Sequence, residues 1–172
     1  CQFLLQQGQF VADICYLEPE ASPYRFRAPP TPGSPPHRPG YNFDGCTPEV
    51  VLTRMKVKDG RLVLPSGMSY RLLVLPEVET MTPKLLRKVS ELVQAGATVV
   101  GPAPLRSPGL SNYPQCDDEI QKLARGLWNG GSGEGATSFG RGRVIWPVEP
   151  KPEKAAPEAP AHLGAARWIW LK

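Results

Sequence analysis

The chain has 172 residues, 41% of them hydrophobic, enough to bury one core and carry a tail. Its net charge of +4 is scattered, and no stretch reaches the roughly 18 apolar residues of a membrane span, so neither a nucleic-acid nor a membrane partner is expected. The 21 prolines and 17 glycines are about twice the usual share and fall in clusters, which marks parts of the chain as linker.

From the start, residues 1–8 (CQFLLQQG) suit the last turns of a helix stopped by Gly8. The β-rich run 10–17 (FVADICYL) predicts a buried strand, in which Asp13 needs a partner or an edge. Residues 19–40 hold eight prolines and few large aliphatics; they build no core and read as a long inserted loop. Thr47, Pro48 and Glu49 then open a short helix to about Arg54: a cap, a proline at the first helical position, and an acid at the positive end. Alternation over 55–65 around Asp59-Gly60 predicts a two-residue hairpin. Residues 70–76 (YRLLVLP) predict a second buried strand. Thr82-Pro83 repeats the cap, and Leu85, Leu86, Val89, Leu92 and Val93 form one face of a helix over 83–95 that Gly96 ends.

A strand over 97–101 follows, then an amphipathic helix over 115–128 with Ile120, Leu123, Ala124 and Leu127 inward. Residues 129–142 read as a glycine-rich connection and 143–148 as a last strand. Residues 147–165 have linker composition, and 166–172 (ARWIWLK) read as the first strand of a following β-sandwich. The chain opens inside one element and stops inside another, so it reads as an excerpt from a longer protein. Strands alternating with helices predict an α/β fold: a mostly parallel sheet with helices on both faces, in a three-layer, flavodoxin-like arrangement over residues 1–146.

In open α/β sheets, ligands gather beyond the carboxyl ends of the strands. That rim places Glu18, Glu77 and Glu79 together, and the approach to the first helix adds Tyr41, Asn42 and Asp44. Such a set suits a sugar or a cation; the plainer reading is solvated loop acids and a turn aspartate. A nucleophile elbow needs Ser or Cys between small residues, and the matching stretch VVGPAPLRSPG has neither at its tip. His37 and His162 lie in Pro-rich segments that hold no base in place. The glycine run 130–135 neither follows a strand nor opens a helix, so it is no phosphate loop. Cys1, Cys15, Cys46 and Cys116 show no metal-ligand spacing, and Cys15 reads as buried packing.

The segments CQFLLQQGQFVADICYLEPE, GYNFDGCTPEVVLTRMKVKDGRLVLPSGMSYRLLVLP, TMTPKLLRKVSELVQAGATVVGPAP and FGRGRVIW resemble, in order, the bacterial α-L-rhamnosidases of glycoside hydrolase family 106. KDGRLVLPSGMSYRLLVLP is the most specific part, and the insert over 19–40 is longer than the family pattern. The resemblance implies a glutamine-amidotransferase-like accessory domain that has lost its nucleophile. It further implies that inverting hydrolysis of terminal α-L-rhamnosides uses glutamates and a calcium ion in a preceding barrel. None of those positions maps here, so no catalytic residue and no cofactor is assigned to this segment. The implied partners are rhamnose-containing glycans, met through the parent enzyme, and the neighbouring barrel and β-sandwich domains; the implied location is periplasmic or secreted. Trp128 and Trp146 are expected to help dock the unit on its neighbours. The alternative is a glycan-binding or domain-docking module without catalysis.

Overall fold

The computed structural model describes residue 3 and residues 8–20, 41–128 and 135–146. Most of the predicted N-terminal helix, the insert beyond Glu20, the linker over 147–165 and the strand over 166–172 lie outside the described residues.

Six strands form the main sheet: β1 (Ile14–Leu17), β2 (Phe43–Cys46), β6 (Leu72–Val74), β7 (Thr98–Val100), β8 (Ala136–Phe139) and β9 (Gly142–Ile145). Their order is β2-β1-β6-β7-β9-β8. Every neighbouring pair is parallel except β8–β9. Cys15 aligns with Asp44 on one side and Leu73 on the other; Leu73 aligns with Val99, and Val99 with Val144. A second sheet, antiparallel, joins β3 (Lys56–Lys58), β4 (Arg61–Val63) and β5 (Ser69–Tyr70). Its hairpin turns on Asp59 and Gly60, at φ 52° and 74°; two successive left-handed residues are what the tightest hairpin turn demands.

Among the described residues the helices complete from end to end are α1 (Pro48–Thr53), α2 (Pro83–Ala95) and α3 (Gln115–Trp128). α2 forms where its pattern predicts. The Thr82 hydroxyl accepts from the Leu85 amide at 3.3 Å, Pro83 opens the first turn, and Gly96 closes the helix at φ 122°. All five predicted inward residues, Leu85, Leu86, Val89, Leu92 and Val93, are buried. α1 packs on α2, and α2 on α3, so the described helices form one row on one face of the sheet. That face carries Cys15, Leu17, Leu73, Leu75, Val99 and Val144, which join the helix side chains in a single core. Burial of each such aliphatic side chain contributes roughly 1.5–3 kcal/mol before ordering entropy is subtracted.

Several expectations change in detail. The segment 43–46, expected only as the approach to a helix, is the edge strand β2. The glycine-rich connection contains β8, which pairs antiparallel with β9. Trp128 is not a docking residue: it is 3% exposed, and its indole N–H donates to the Gly101 carbonyl at 3.0 Å inside the core. Trp146 is half-buried and packs against the same core. Asp13 finds its partner in Arg71, at 2.9 Å.

Candidate functional site

The strand order reverses at β1: the chain goes from β1 out to β2, then back past β1 to β6. The crevice between the carboxyl ends of β1 and β6 is therefore the place where an open sheet of this kind receives a ligand. It also faces the start of α2, whose free amides and dipole favour an anion.

That position is filled from within. Glu20, three residues past the end of β1, lays its carboxylate on Thr82. One oxygen accepts from the Thr82 amide at 2.6 Å and the other from the Thr82 hydroxyl at 2.7 Å. The Thr82 hydroxyl in turn accepts from Leu85, so carboxylate, N-cap and first helical turn form one chain of hydrogen bonds. Sequence reasoning missed Glu20. Its only available signal was an acid near the end of a strand, and Glu18 had the same one.

The other predicted site residues do not converge. Glu18 is half-buried beyond β1, with its amide donating to the Cys46 carbonyl at 2.9 Å. Glu77 is exposed beyond β6, and Glu79 meets Arg106 at 3.3 Å on the surface. Tyr41 and Asn42 precede β2 and so lie at the opposite, amino-terminal end of the parallel sheet. There the Asn42 side-chain amide donates to the Val11 carbonyl at 3.1 Å, and its own carbonyl accepts from the Asp13 amide at 3.0 Å. These are the bonds of a strand lead-in.

Asp44 sits within β2. It accepts from the Tyr70 hydroxyl at 3.0 Å and from the Gly45 amide at 2.8 Å, which ties the small sheet to the edge of the large one. Burial, and then the bond and charge of Asp44, push the Tyr70 hydroxyl well above its ordinary pKa. On the same face the Cys15 thiol is also raised, first by its hydrogen bond with Cys46 and then by burial, so it is not an activated nucleophile. Cys15, Cys46 and Cys116 are all free and buried. Among the described residues no three His, Cys, Asp or Glu side chains gather as a metal-holding group.

Comparison with known proteins follows the same lines. The family model for alpha-L-rhamnosidase, glycoside hydrolase family 106, matches residues 1–155. A Formosa agariphila protein named as a beta-glucuronidase is 37% identical over 131 residues, 76% of this chain and 11% of that protein. The solved structure of a rhamnosidase from Novosphingobium sp. PP1Y superposes with a TM-score of 0.66 at 30% identity, covering 83% of this chain and 13% of that one. The chain thus spans 11–13% of the length of the relatives it matches.

Proposed function

Because the chain belongs to the alpha-L-rhamnosidase family, glycoside hydrolase family 106, we propose that it is a non-catalytic unit of a longer glycosidase that cleaves terminal α-L-rhamnosides. The observation that carries the non-catalytic reading is the Glu20 carboxylate on Thr82. The one crevice the topology favours for a ligand holds the chain's own anion, and the acids around it are dispersed. The raised thiol of Cys15 and the absence of a Ser or Cys at the strand-to-helix tip point the same way. The order of the parallel strands, two on one side of the reversal and three on the other, supports a flavodoxin-like, amidotransferase-derived fold over residues 1–146, followed by a linker and a further module. Catalytic carboxylates, any calcium ion and the glycan-binding surface then belong to the rest of the enzyme.

The experiment is hydrolysis of an aryl α-L-rhamnoside by the full hydrolase, with an aryl β-glucuronide beside it because one relative carries that name. Rhamnoside cleavage is expected, with Glu18→Gln, Asp44→Asn and Glu77→Gln variants staying close to the unmodified rate. Loss of a general acid or base costs about 10²–10⁴-fold. A fall of that size in any of the three variants, with the fold intact, would place the chemistry on this unit and overturn the reading.

A further inference from the structure

The loop between β7 and α3, residues 101–114, is fastened along its length yet turns its large apolar side chains outward. The Leu105 and Arg106 amides donate to the Glu79 carbonyl at 2.8 and 3.2 Å, and the Met81 amide donates to the Arg106 carbonyl at 3.1 Å. The Ser107 amide donates to the Asp117 carboxylate at 2.8 Å. Further on, the Tyr113 amide donates to the Leu110 carbonyl at 3.1 Å and the Cys116 amide to the Asn112 carbonyl at 2.9 Å. On this held backbone Leu105 is 55% exposed, Leu110 82% and Tyr113 62%. The other exposed large hydrophobics among the described residues are Phe3, Phe10 and Val11, ahead of the first strand.

We infer that Leu105, Leu110 and Tyr113 form a preorganised docking surface for another domain of the same hydrolase polypeptide. Three observations select that occupant. The relatives carry this unit as 11–13% of a much longer chain, so it meets a large remainder of protein along some face. Two charges beside the patch already have partners: Arg106 meets Glu79, and the Asp117 carboxylate accepts from the Ser107 amide. The three exposed side chains themselves are apolar or aromatic, which suits a protein surface better than a polyanion. A fixed backbone also lowers the ordering cost of association, which fits a permanent neighbour. The inference rests on the accessory-unit reading above.

The test uses the full hydrolase. Cys15, Cys46 and Cys116 are buried, and alkylation of an L110C variant is read at the peptide that contains position 110, so that Cys1 and any thiol elsewhere in the hydrolase do not enter the comparison with the unmodified enzyme. Protection of at least about tenfold in the native protein relative to the urea-unfolded protein is expected, because a docked position reacts only through local opening. Reaction at the unfolded rate would overturn the docking surface. A second variant, L110D/Y113D, changes exposed positions that the unit's own core does not use. It is expected to raise hydrogen exchange over residues 105–116 and to lower or split the thermal transition of the whole enzyme. Unchanged exchange and an unchanged melt would again overturn it. Rhamnoside hydrolysis is read separately: its absence alongside a protected position 110 would remove the substrate assignment and leave the interface standing.

Discussion

At the scale of single residues, the decisive group is a carboxylate that binds its own protein. Glu20 supplies to Thr82 what a ligand anion would supply to the start of α2. Glu20→Ala is expected to cost about 1–2 kcal/mol, the worth of a lost helix cap with charge-assisted bonds, measured by urea unfolding. Glu20→Gln should recover part of it, since an amide oxygen still accepts from one donor. An unfolding midpoint unchanged in both variants would mean that the contact does not form in solution. Tyr70 gives a prediction in pH. Its folded pKa lies above the unfolded value of about 10, so its contribution is complete below pH 10 and is lost as pH rises toward the folded value. Unfolding curves from pH 8 to pH 11 should therefore fall more steeply for the unmodified chain than for Tyr70→Phe; parallel curves would contradict the raised pKa. Of these residues Thr82 was read in advance as a helix cap and Asp44 as a rim acid, while Glu20 and Tyr70 were not singled out. The bond from Tyr70 links positions 26 apart in sequence, and no local pattern encodes that approach.

At the scale of elements, legibility tracked periodicity. α2 and α3 were readable because each carries an apolar stripe, to which α2 adds clear boundary residues, Thr82-Pro83 and Gly96. Asp59-Gly60 fixed the hairpin for the same kind of reason: few residues tolerate two left-handed positions in succession. β2 was missed because PheAspGlyCys has low strand propensity; parallel pairing to β1 imposes its extended form. β8 was missed because its glycine-rich surroundings masked a four-residue strand that exists through its ladder with β9. Two substitutions probe the packing of α2. Leu86→Ala, at a site with no solvent exposure, should destabilise by about 2–5 kcal/mol. Gly142→Ala should also destabilise, by about 1–3 kcal/mol, because a methyl there would fall 2.3 Å from the carbonyl oxygens of both Val93 and Ala97. Thermal melts check both, and a neutral Gly142→Ala would mean that β9 moves freely away from the end of α2.

At the scale of the whole molecule, the sequence pattern led to the α/β class and the mostly parallel sheet, while the family came from a run of matching segments that the comparisons bear out. The described helices line one face only, in the row α1–α2–α3; the N-terminal segment expected to add a further helix lies mostly outside the described residues. The candidate site was less legible than the fold. Strand ends are visible in sequence, but which end of the sheet a residue occupies depends on strand direction. Hence Tyr41 and Asn42 were grouped with acids that stand at the other end.

The two anchors of the proline-rich insert have a practical consequence. Ahead of the insert Glu20 is pinned to Thr82, and after it Asn42 is pinned to Val11 and Asp13. Closing a loop between fixed ends costs only about 0.6 kcal/mol more for each doubling of its length. By composition the stretch between the anchors reads as an inserted loop, so an affinity tag grafted between Glu20 and Asn42 is expected to leave the melt of the protein close to that of the unmodified chain as long as both anchors hold.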